Sequence, residues 1–223
     1  MKRVTLFTTL AVACFVSARM SADAQEVAGI TVDKAKKTVS VACKIAPRKL
    51  PNLTEIYPLE VIATYPAPKG QKSHETVLTF EVKPSEIHKA LESLGLKPGK
   101  PAKGEGGVPA GPEIKVLLEL PAADGTKVVP IESVLADKKT GKPMPAIKWL
   151  FTGSAMKQPD PEKDDIVYGA DVTGTLISIF PVTDDTVLQT SLTMKEEPLI
   201  KLDTNAKALP AEGTAVKLIL EAK

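Results

Sequence analysis

Apolar side chains recur at every second position through most of this chain, and that period of two commits it to β-structure. In Thr38–Ile45, the residues Val39, Val41, Cys43 and Ile45 share one face, and Leu59, Val61, Ala63 and Tyr65 share another further on. Ile114, Val116, Leu118 and Leu120 alternate with more polar neighbours. Ile30–Val32 and Thr38–Ile45 read as a hairpin around the lysine-rich turn at 33–37, and Ala123-Asp-Gly125 as the turn of a second hairpin. Further strands are expected at 147–151, 166–171, 175–180 and 214–220. Aromatic residues make up only 4% of the chain, so leucine and β-branched side chains must fill its core.

One segment follows a different period. A strand placing His74, Thr76, Leu78, Phe80 and Val82 on one face runs directly into Ile87, Ala90, Leu91 and Leu94, the spacing of a helical stripe. Ser85 after Pro84 is the expected N-cap, and Gly95 before Leu96 and Pro98 the expected stop. At about 100° per residue, His88 falls on the flank of the buried stripe. The fold class that follows is α+β: a mainly antiparallel sheet with one helix, residues 85–94, packed on it. Residues 97–112 hold five glycines, four prolines and three lysines and read as a flexible loop. The lysine-rich stretches at 34–37, 97–103 and 138–142 read as solvated loops.

The first 24 residues have the form of a secretory signal. Lys2 and Arg3 precede an uncharged, largely apolar run from Val4 to Val16, and Ala22-Asp-Ala24 offers small residues for cleavage before Gln25. The expected product, residues 25–223, is one α+β domain, periplasmic or secreted. A rival reading takes Leu10-Ala-Val-Ala-Cys14 as a lipoprotein box, with a lipid anchor on Cys14. Without the signal, the chain keeps 26 basic and 26 acidic residues, so it has no electrostatic footprint for nucleic acid. No later run reaches the length of a transmembrane helix. Cys43 alone remains, on an apolar strand face where a buried, inert thiol is expected.

Chemistry is sparsely signalled. The sequence has no HExxH helix, CxxC pair, phosphate-cradling GxxxxGKS/T loop or GxSxG elbow. Its two histidines both lie within residues 74–99, so metal or acid–base work would fall there. His74-Glu75, Lys83-Pro-Ser-Glu-Ile-His88, Ala90-Leu91 and Gly95-Leu-Lys-Pro-Gly99 are joined downstream by Trp149-Leu-Phe-Thr-Gly-Ser154, Tyr168-Gly-Ala-Asp171 and Gly174-Thr-Leu-Ile-Ser178. Together these resemble the signature of the YdjY-like domain family of exported bacterial proteins, over residues 28–190. The resemblance implies a single-domain module and brings no reaction with it.

Two readings of these positions stay open. In the sharper one His74 and His88 converge where the helix meets the sheet. With Tyr168 and Asp171, or less readily Glu75, they form a ligand site or hold a transition metal. In the plainer one, both histidines are boundary residues that lock helix to sheet. Phe151-Thr-Gly-Ser154 likewise reads either as an anion-binding loop presenting Ser154 or as a turn ending a strand anchored by Trp149 and Phe151. The expected function is an exported, non-enzymatic module that binds a small ligand or an envelope protein. The alternative is a metal-dependent or histidine-based hydrolase at His74 and His88. A third reading is a structural component acting through an exposed sheet edge.

Overall fold

The computed structural model describes residues 24–223. The expected signal segment lies outside the described residues apart from Ala24, and so does Cys14. In chain order the elements are β1 (Ala24–Val27), β2 (Ile30–Asp33), β3 (Thr38–Ile45), β4 (Val61–Thr64), β5 (Leu78–Thr79) and helix α1 (Pro84–Ser93). There follow β6 (Glu113–Ala122), β7 (Gly125–Pro130), β8 (Leu135–Asp137), β9 (Trp149–Phe151), β10 (Met156–Lys157), β11 (Val167–Tyr168) and the short helix α2 (Gly169–Thr173). The last four strands are β12 (Thr175–Ser178), β13 (Leu188–Thr190), β14 (Leu202–Thr204) and β15 (Ala215–Ala222).

Eight of these strands form a closed barrel in the order β3-β15-β6-β9-β13-β12-β4-β5, and β5 returns to β3. The pairings β12–β13 and β4–β5 are parallel and the rest antiparallel. Closure rests on two residue pairs, Lys44 with Thr79 and Ile45 with Leu78. The β1–β2 hairpin extends one edge of β3, and β7 flanks β6. Two small ribbons, β10–β11 and β8–β14, stand off the barrel.

This overturns the expected α+β class, a sheet with a helix packed on one face. The described residues are mostly β, and α1 is their one helix of seven residues or more. The physical reason lies in what a sheet must bury. A ten-residue helix is about 15 Å long and cannot cover a broad sheet. The sheet therefore buries its apolar face by curling round on itself. Alternation along a single strand is the same for an open sheet as for a barrel wall, so closure left no mark on the period.

β3 and β6 keep their expected inward faces, and the C-terminal strand β15 also turns one inward. Val39, Val41, Cys43 and Ile45 on β3, Ile114, Val116, Leu118 and Leu120 on β6, and Val216, Leu218 and Leu220 on β15 are all buried. On the opposite wall β4, β12 and β13 are buried at every position, polar residues included. There Gln189 holds both backbone groups of Ala102, accepting from its N–H at 2.8 Å and donating to its carbonyl at 2.9 Å. That contact binds the glycine- and proline-rich stretch 97–112 to the wall, and Gly104 adds an N–H bond to the carbonyl of Pro181 at 2.8 Å.

Candidate functional site

Helix α1 starts one residue earlier than its sequence pattern suggests. Lys83 is the N-cap without a side-chain bond, and Pro84 occupies the first turn, where a missing N–H costs nothing. Ser85 is therefore inside the helix and is not its cap. Its N–H donates to Asp171 Oδ1 at 2.8 Å and its hydroxyl to Asp171 Oδ2 at 2.6 Å. A carboxylate from α2 thus satisfies the open end of α1 from 86 residues away. The other end follows the sequence: Gly95 takes φ +88° just after Leu94, the C-cap.

One turn beyond Ser85, His88 meets three groups. Its Nδ1 lies 2.7 Å from Tyr168 Oη, and its ring makes edge contacts with Phe151 and Tyr168, at centroid distances of 5.0 and 5.3 Å. Its Nε2 lies 3.5 Å from Glu92 Oε1, one turn along the same helix. The Glu92 carboxylate can only accept, so a neutral ring keeps its proton on Nε2, towards Glu92. Nδ1 is then the acceptor for the Tyr168 hydroxyl, whose oxygen also accepts the Ser154 N–H at 3.1 Å. Burial pulls the His88 pKa below its ordinary value, with Glu92 opposing in part, and the ring is neutral at neutral pH. Burial also drives the Tyr168 hydroxyl well above the usual phenol range.

The Thr152-Gly-Ser154 segment closes against this group. Gly153 has φ +68°, and a Cβ there would stand 3.0 Å from Pro98 Cβ and 3.4 Å from His88 Cε1. Ser154 Oγ accepts the Ala170 N–H at 3.0 Å and donates to the carbonyl of Ala155 at 3.1 Å. The loop N–H groups of Gly153, Ser154 and Ala155 go to Val187 O, Tyr168 Oη and Asp184 O. None is left pointing at solvent for an anion to take.

Of the five residues singled out from sequence, His88, Ser154, Tyr168 and Asp171 therefore share one neighbourhood, built from α1, the β9–β10 connection, β11 and α2. His74 stands elsewhere. The strand expected to carry it shrinks to Leu78–Thr79, and His74 lies in a turn where the N–H of Glu75 reaches Lys72 O at 3.0 Å. Its ring meets Tyr57 edge-on at 5.4 Å, and Nε2 lies 3.3 Å from Glu75 Oε1. Its carbonyl accepts from Arg48, which also donates to Tyr57 O and Asp203. Lys72, between Glu60 at 2.6 Å and Glu75 at 2.8 Å, completes this second polar cluster. The two histidines have no contact partner in common. Among the described residues no three His, Cys, Asp or Glu side chains are grouped to hold a metal. Glu92 and Phe151 were missed as partners of His88, although Glu92 carried a signal in its four-residue spacing. The pairing of Ser85 with Asp171 carried none.

The YdjY domain matches residues 30–221. The chain belongs to the YdjY domain family. No curated protein and no solved structure matches it. The matched span of the YdjY domain covers the eight barrel strands short of the last residue of β15, the strand that bonds to β3 on one side and β6 on the other. It also contains both the His88 and the His74 clusters.

Proposed function

We propose that this YdjY domain is an exported, non-enzymatic binding module, periplasmic or secreted, whose His88 cluster fastens α1 to the barrel. One observation carries the reading: the polar groups around His88 are spent on each other. Ser85 gives its proton to Asp171, Ser154 to a backbone carbonyl and Tyr168 to His88. A hydrolase that works through a serine-type nucleophile needs a hydroxyl that its histidine can deprotonate. The one hydroxyl on His88 is a phenol whose ionisation burial opposes.

The order Glu92, His88, Tyr168 does match an acid, a base and a hydroxyl, and it supports a histidine-based hydrolase as the second reading. The test compares wild type with His88→Gln and Tyr168→Phe on a panel of chromogenic carboxylic and phosphate esters, with melting curves for each. The module reading expects no turnover in any form and a lower melting temperature in both variants. Turnover that falls by more than about tenfold in a still-folded His88→Gln would overturn it.

A further inference from the structure

Around Tyr168 the surface is unusually apolar for so charged a region. Met156 is its partner across the β10–β11 ribbon, Ile166 lies just before β11 and two residues before Tyr168, and Val172 follows by one turn of α2. They are 58, 67 and 46% exposed, and they are three of the seven large apolar side chains exposed among the described residues. Clustering at one tyrosine distinguishes them from the single exposed apolar residues any surface carries.

The rim of this patch is acidic. The connection from β10 to β11 holds Asp160, Glu162, Asp164 and Asp165 against Lys163, and Lys163 is paired with Asp160. Lys157, the nearest other cation in sequence, is drawn away by Asp184 at 3.0 Å and Asp185 at 3.2 Å. Glu162, Asp164 and Asp165 are exposed and have no ion-pair partner among the described residues. An apolar centre with an unneutralised negative rim repels anionic lipid and attracts cations carried beside apolar groups.

We infer that the face formed by Met156, Ile166 and Val172, rimmed by the acidic β10–β11 connection, docks a basic, apolar-bearing segment of another protein. The inference rests on the binding-module reading and names the kind of partner. Its base is stiff: Tyr168, at the centre, is held by His88 and the Ser154 N–H, so little order is lost when a partner settles on it.

The test uses the full exported chain and a fluorescein-labelled peptide of alternating lysine and leucine, with its glutamate-for-lysine counterpart as control. Fluorescence anisotropy should show saturable binding of the lysine peptide alone, weakened about tenfold from low to high salt. Ile166→Ser with Val172→Ser, and separately Asp164→Lys with Asp165→Lys, should each weaken binding by about tenfold or more. Val108→Ser with Leu199→Ser, two exposed apolar residues on other loops, should leave it unchanged. Equal binding in all variants, or loss in the last pair, overturns the inference. So does concentration-dependent self-association by light scattering that disappears in Ile166→Ser with Val172→Ser, because the face then belongs to a second copy. If the peptide fails to bind and no ester is turned over, this face is wrong while the module reading stands. Turnover dependent on His88 would remove the module reading itself.

Discussion

Removing the carboxylate that closes the start of α1 is the sharpest perturbation available. Asp171→Ala deletes two hydrogen bonds, one to the Ser85 N–H and one to its hydroxyl, and removes a negative charge from the helix N-terminus. Losing a capping side chain costs about 0.5–2 kcal/mol, and the charge near the positive end of the helix about 0.3–1 kcal/mol. Asp171 is half-buried, so water replaces these contacts only in part. The expected loss is about 2–3 kcal/mol. For a domain of this size each kcal/mol lowers the melting temperature by about 2–4 °C, so a drop of about 5–10 °C should follow. Asp171→Asn, which keeps one acceptor, should lose roughly half as much.

Ser85→Ala removes the hydroxyl bond and leaves the N–H bond in place. In a double-mutant cycle the two sites should couple by about 1 kcal/mol in urea unfolding, at unchanged m-value. A loss below about 0.5 kcal/mol for Asp171→Ala, or additive effects of the two substitutions, would refute the capping argument.

Three further outcomes are expected. Because burial depresses the His88 pKa in the folded state, the unfolded chain takes up a proton first as pH falls below about 6.5. Stability should therefore be full above that value and fall below it, and urea titrations of His88→Gln should lack this component of the slope. Gly174→Ala should cost about 2–5 kcal/mol, since the residue has φ +73° and its Cβ would lie 2.2 Å from the Tyr65 ring, whereas Gly95→Ala, at φ +88° with open space around it, should cost about 1 kcal/mol by the same melting assay. Cys43 is buried and its thiol is pushed up to about 12, so maleimide labelling at neutral pH should proceed only at the rate of unfolding; rapid labelling of the native chain would contradict the packing of β3.

What could be read from the sequence was local. The hairpin of β2 and β3, the stripe of Ile87, Ala90 and Leu91, the stop at Gly95 and the inward faces of β3 and β6 all follow from neighbours within a few positions. Parallel partners such as Ile177 and Leu188 are joined across a connection that no periodicity marks. On β12, where every position is buried, alternation vanishes altogether. His74 shows how a pattern misleads: it keeps step with Thr76, Leu78 and Phe80, yet the turn after Gly70 leaves it outside the strand. Of the His88 neighbourhood, the residues were legible as chemistry-bearing types. Their bonds were not, because Ser85 and Asp171, or His88 and Tyr168, meet only after the wall has closed.

β5, two residues long, is the shortest strand of the wall; it meets β3 through two residue pairs and β4 through two more, and it runs within a few residues into α1. Whatever grips α1 therefore also holds that joint. Asp171 and Tyr168 grip it from α2 and β11, immediately before β12, on the far side of β4 from β5. The two contacts work like a hoop around a cask, bridging the narrowest stave from outside. Amide exchange would show it. In the intact chain the protons of Leu78 and Thr79 should outlast what such short pairings can protect, and with Asp171 replaced they should be the first of the barrel to exchange.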